Sequence, residues 1–110
     1  MQKTSLTALA RGEMQTATNA SSGRSSKTVY GGHEKVLRQT IIALRTGHEL
    51  GEHDNPGEST IFVLSGRIML KSAESSWSGW IGDLLIVPDA PHSVEALEDS
   101  VMLLTVAKLR

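Results

Sequence analysis

From about residue 28 onward, apolar and polar positions alternate with a period near two, and turn signals break the alternation at short intervals. Thr28–Val29–Tyr30 is a β-favouring trio closed by Gly31–Gly32. Lys35 to Leu44 (KVLRQTIIAL) predicts a longer strand. One of its faces reads Val36, Arg38, Thr40, Ile42, Leu44 and the other Leu37, Gln39, Ile41, Ala43. Apolar groups on both faces near its end predict cover on both sides, by a second sheet or at a subunit contact. Thr60 to Leu64 and Arg67 to Lys71 flank Ser65–Gly66 and predict a tight hairpin. Trp77 to Trp80, Asp83 to Val87, His92 to Leu97 and Ser100 to Val106 complete the strands, with Pro88–Asp89–Ala90–Pro91 as a break. Many short strands with little helical periodicity predict an all-β sandwich or barrel, and no internal repeat is visible.

Residues 1–27 have another texture, rich in Ser, Thr, Ala and Gln. Ser5 is placed to cap a short helix carrying Leu6, Leu9 and Met14, but Gly12 interrupts a thin apolar stripe. NASSGRSSK follows, with the composition of a flexible connector. The expectation is an irregular or short-helical N-terminal arm over 1–27, partly flexible and draped over its own domain or a partner subunit. A single barrel domain over 28–110 follows it.

Composition narrows the partners. A chain of 110 residues fits one domain, and its formal net charge of −1 creates no overall field for nucleic acid or an anionic membrane. Charges up to Arg45 are mainly basic and those from Glu49 to Glu58 acidic, which suits a solvated face. Without cysteine, neither disulfides nor thiolate zinc sites exist. No apolar run has the core of a signal peptide or the roughly 20 residues of a membrane span. A cytoplasmic protein is the expectation.

Two stretches carry the candidate chemistry: Gly47 to Gly66 (GHELGEHDNPGESTIFVLSG) and Gly82 to Val94 (GDLLIVPDAPHSV). Over about residues 35–107 the chain resembles the cupin family. In that family's first motif a glycine, two histidines, a glutamate and a second glycine recur at set spacings. Gly47, His53 and Gly66 fall on those places, with Asn55 at the second histidine and Ser59 at the glutamate. In the second motif Gly82 and Pro88 match, Ala90 replaces a glycine, His92 comes one residue early and Ala96 stands at the asparagine. The resemblance implies an antiparallel jelly-roll β-barrel of the cupin type, usually paired as a homodimer. Subunit contact would also explain the two-faced apolar strands 36–44 and 101–106.

Strand alternation puts His53 and Asn55 on one side, and Ser59, Ile61 and Val63 return to that face on the next strand. His92 then reaches the same point from the opposite wall. These six residues form the expected ligand pocket. The family's metal set, three histidines and a glutamate, suits iron, manganese, nickel or zinc. Here His53 and His92 remain as protein ligands for a weakly held divalent transition metal, with two substitute carboxylates: Glu58, if the Asn55–Pro56–Gly57 turn brings a bulge, and Glu49, which shares parity with His53 four residues further out. Without a metal, the two imidazoles suit an anionic or hydroxylated ligand or acid–base work. His48 and His33 are expected at the surface. Trp77 and Trp80 face opposite ways, so at most one lines the pocket, and Met69 and Met102 read as core filler.

Three functions follow: a small-molecule-binding barrel, a metal-dependent oxygenase or isomerase of a small polar substrate, and a structural barrel whose pocket is relict. No G-x-S-x-G elbow or phosphate-cradling glycine loop is present.

Overall fold

The computed structural model describes residues 2–53 and 57–108. Among them the chain forms one helix, α1 (Leu6–Asn19), and nine strands. These are β1 (Arg24–Tyr30), β2 (Leu37–Leu44), β3 (Glu49–His53), β4 (Gly57–Ser65), β5 (Arg67–Ser72), β6 (Ser76–Trp80), β7 (Leu84–Ile86), β8 (His92–Ala96) and β9 (Ser100–Lys108). They make two antiparallel sheets of jelly-roll type, in the orders β1-β2-β9-β4-β7 and β3-β8-β5-β6. No described helix is long and apolar enough to cross a membrane.

The first core lies between the sheets. Ladder partners share a face, so Ile42, Met102 and Val63 lie in one row and Thr40, Leu104 and Ile61 in the next. Ile68, Leu70, Val94 and Ala96 meet them from the second sheet. The alternation that marked Ser59, Ile61 and Val63 as one face is kept, and all three are buried. Gly79 lets the sheets close at one edge, because a Cβ there would lie 2.9 Å from the Leu85 side chain and 3.1 Å from that of Val63.

The second core lies outside the larger sheet, where Ile41, Ala43 and Val101 are buried beneath Ala17, Leu6, Leu9, Ala10 and Met14 of α1. This cover is intramolecular, so the apolar outer faces of β2 and β9 do not require a second subunit. The helix also runs through Gly12, which has open space around it. Glycine costs about 1 kcal/mol in a helix interior. Burying even one Ile or Val beneath α1 outweighs that, at roughly 1.5–3 kcal/mol each. Ser5 caps the helix as expected, its side chain accepting from the Ala8 N–H at 3.2 Å.

Two further expectations are corrected. The boundary between residues 27 and 28 falls inside β1, whose serine-rich sequence is an edge strand paired with β2 rather than a connector. Ser65–Gly66 is not a hairpin, since β4 and β5 belong to different sheets and the chain crosses between them there. Gly66 has φ +80°, and a Cβ on it would lie 2.2 Å from the Asp99 carbonyl oxygen. Around this corner the buried Ser100 Oγ accepts from the Arg67 N–H at 2.9 Å and donates to the Glu98 carbonyl at 2.7 Å. Asp99 accepts from the Thr46 N–H at 2.8 Å and the Thr46 hydroxyl at 3.0 Å.

Gly66→Ala is expected to cost more than about 2 kcal/mol, since it adds both strain and a clash with backbone. Ser100→Ala should cost about 1–3 kcal/mol by stranding a buried N–H. Urea unfolding measures both, and wild-type midpoints would refute the clamp. Thr46's backbone and hydroxyl bonds hold the Asp99 carboxyl below the usual carboxylate range. A depressed folded-state value adds stability above the unfolded value and loses it as pH falls through the folded one. Asp99→Ala should therefore cost roughly 1 kcal/mol or less at neutral pH, discounted for exposure, and progressively less as the pH falls below the usual carboxylate range. An equal cost at neutral and acid pH would refute this assignment.

Candidate functional site

The space between the sheets has two unlike ends. At the Gly66 end it is closed by the Ser100 and Asp99 bonds and by the Gly47 N–H donating to the Ala96 carbonyl at 2.8 Å. At the far end the inner face of the larger sheet turns polar, with Arg38 on β2, Val106 on β9 and Ser59 on β4 in one row. The Val87 N–H donates to the Ser59 carbonyl at 3.0 Å and ties the proline turn to this end.

His92 enters β8 directly after that turn and is only 3% exposed. Its Nδ1 lies 3.0 Å from the Ala90 carbonyl oxygen. A carbonyl can only accept, so Nδ1 carries the hydrogen in this contact. Pro88 and Pro91 bracket the segment that supplies this carbonyl. Short turn and ring orientation are thus fixed together.

His53 is the register partner of His92 on the neighbouring strand β3. The two strands belong to one sheet, which corrects the expectation that His92 approaches from an opposite wall. Directly paired residues of antiparallel strands have Cα atoms about 4.5–5.5 Å apart. Asn55, with the turn in which a bulge was anticipated, lies outside the described residues. A bulge does occur, between Leu50 and His53. It breaks the parity that linked Glu49 to His53. Glu49 instead lies opposite Glu95 and 4.0 Å from Lys71. The Lys71 ammonium donates to Glu95 at 3.0 Å, and this bond, with the charge of Glu95, holds its pKa above the usual lysine value. Glu58 is exposed opposite Ala107, on the outer face of β4.

Ile61 and Val63 are packed in the inter-sheet core. Met102 is also there, but Met69 is half-buried on the outer face, opposite Glu95 and Ser78. His33 is exposed. His48 is half-buried with its ring against Gly23, where a Cβ would meet it at 2.4 Å. Trp77 pairs with inward-facing Leu70, whereas Trp80 pairs with Arg67, whose guanidinium stacks 4.7 Å from its ring centre. The two indoles do face opposite ways.

The described side chains at the polar end that could ligate a metal are the His92 imidazole and the Ser59 hydroxyl. Among the described residues no three His, Asp or Glu side chains gather as a metal group. Of the three imidazoles and a carboxylate that such a centre uses, the described side chains here supply one imidazole, that of His92.

A second feature escaped the sequence reading. A concavity of about 640 Å³ lies on the β1 side of the same inner face, lined by Arg24, Ser26, Thr28, Arg38, Thr40 and Leu104 among others. The signal was present in β2. Its face runs from Arg38 and Thr40 to Ile42 and Leu44, changing from polar to apolar along one strand. That pattern marks where cover by the other sheet ends.

No family model matches the sequence, and no curated protein matches it. Solved structures do match. A conserved protein of unknown function from Streptococcus pyogenes is 27% identical, with 83% of this chain and 79% of that chain covered and a TM-score of 0.73. An RmlC-like cupin protein from Desulfovibrio desulfuricans is 25% identical over 76% of this chain and 81% of that chain, with a TM-score of 0.67. KdgF from Halomonas sp., 21% identical over 79% and 82% with a TM-score of 0.66, shares the fold.

Proposed function

The chain is a small cupin-type domain, and we propose that it binds a small polar molecule at the Ser59–His92 end of the space between its sheets. One observation carries the reading. Two polar side chains, His92 at 3% and Ser59 at 7% exposure, sit at the end of the inter-sheet space opposite the Ser100 corner, next to an apolar core. Small-molecule sites are mostly apolar clefts with a few placed polar groups. An imidazole and a hydroxyl, each able to hydrogen-bond, would match a ligand carrying hydroxyl or acid groups. In this reading His53 and Asn55 belong to the same site, with Ile61 and Val63 as its apolar floor. A cytoplasmic setting goes with it, since no cysteine calls for an oxidising one.

A thermal-shift screen of small acids and sugars tests the proposal. A ligand at 100 times its Kd adds about 2.7 kcal/mol, which raises the melting temperature of a domain this size by several degrees. The shift should vanish in His92→Ala. If no compound moves the transition, the pocket is relict and the barrel structural. Elemental analysis of protein prepared without chelator should find substoichiometric metal. Near-stoichiometric metal, lost in a His53→Ala/His92→Ala variant, would replace this reading with a metal-dependent oxygenase or isomerase.

The macromolecular partner we propose is a second copy of this chain, seated on strand β7. Leu84 and Ile86 are exposed on the outer face of this edge strand, beside Phe62 on β4, with Ile81 exposed in the preceding turn. An apolar edge strand can pair with itself across a twofold axis. Sedimentation at micromolar concentration should give a dimer, and Leu84→Lys/Ile86→Lys a monomer. A wild-type monomer would sink this assignment.

A further inference from the structure

We infer that the concavity on the inner face of β1 and β2 is an oxyanion subsite, which takes an elongated small molecule carrying carboxylate or phosphate through Arg24 and Arg38. The inference deepens the proposed function and rests on it, since this concavity and Ser59 share one sheet face, with His92 on the sheet opposite.

The argument begins with the ladder. Arg24, Ser26 and Thr28 of β1 pair with Leu44, Ile42 and Thr40 of β2, so they share the inner face with the core. Facing residues inside a sandwich are ordinarily apolar. Here the smaller sheet ends with β3, and β1 projects past it, so its inner side chains line an open trough instead of a core. The exposure of Arg24, Ser26 and Thr28 agrees with that placement.

The chemistry of the lining is one-sided. Arg24 and Arg38 bring two guanidinium groups, and Ser26, Thr28 and Thr40 bring hydroxyls that donate as well as accept. Among the described residues no carboxylate lines the trough. Among the described residues the ion pairs involve Lys71 alone, and no described acid pairs with either arginine. Arginine presents a planar fork of donors that fits carboxylate and phosphate bidentately.

Shape adds a second constraint. Arg24 is opposite Leu44, and Arg38 is six residues away along β2, which separates their Cα atoms by roughly 20 Å. A compact ion would meet one guanidinium at a time. An extended molecule would lie along the hydroxyls, with Leu104 beneath it. Its far end would point along the Arg38–Val106–Ser59 row toward His92.

Titration calorimetry tests the inference with inorganic phosphate, a series of linear dicarboxylates and a neutral diol of matched length. Dicarboxylates should bind, and Arg24→Gln and Arg38→Gln should each weaken them at least tenfold. Binding should also weaken as salt is raised, because the pair is open to solvent. Arg11→Gln, an exposed change on α1, should leave affinity unchanged. Phosphate binding as tightly as the dicarboxylates would support the oxyanion class and overturn the elongated shape. A neutral diol or sugar bound equally in both arginine variants would overturn the inference and leave the proposed function standing. Anion binding that needs the arginines but survives His92→Ala would uphold the subsite and refute the assigned role of His92. If neither anions nor neutral compounds bind, both fall.

Discussion

Covering the β2–β9–β4 ladder on both faces is the constraint that shapes this molecule. Ile42, Met102 and Val63 point one way along it, and Ile41, Ala43 and Val101 point the other. One face is met by the smaller sheet. The other needs its own cover, and α1 supplies it from the N-terminal residues. The helix is thus a structural layer, and its apolar residues recur at 6, 9, 10, 14 and 17 because they must reach the same sheet face.

That constraint has a geometric remainder. A five-stranded sheet faces a four-stranded one, and the overhang falls at β1. Inner-face positions that would be apolar under full cover are Arg24, Ser26 and Thr28 instead. The same change occurs within β2, where Ile42 and Leu44 are buried and Arg38 and Thr40 only partly so. Where sheet-on-sheet contact stops, polarity begins. The trough and the Ser59–His92 end are both products of this incomplete overlap.

Most strands were legible because a half-buried strand must alternate. Positions 59, 61 and 63 fell on one face in the sequence and are buried together in the fold. Alternation has a blind spot, however. A hairpin at Ser65–Gly66 would place Ile61 and Val63 on the same face as Ile68 and Leu70. So does a corner between sheets, because both sets then point inward from opposite walls. Nothing within residues 60–71 separates the two; the discriminating contact is with Asp99 and Ser100, over thirty residues further on. β1 failed for another reason. Its serines resemble a linker because they face water and a trough, while its pairing comes from the β2 backbone. The candidate site suffered similarly at Glu49, whose parity with His53 is undone by a single bulge that composition does not announce.

The two ends of the inter-sheet space differ in what occupies them. At one end, Ser100, Asp99 and the Gly66 corner fix the sheets to each other by short hydrogen bonds and close backbone packing. Those bonds involve residues distant in sequence, so they constrain the chain where loop closure is costly. The other end can then keep a histidine and a serine inside, with Arg38 in the same row as Ser59. Buried polar groups are tolerated where the surrounding structure is over-determined. His92 illustrates the dependence, since its ring is set by a carbonyl of the proline-bracketed turn, which is itself tied to β4 through Val87 and Ser59. A change that loosened this tie would alter the presentation of His92 without touching its ring.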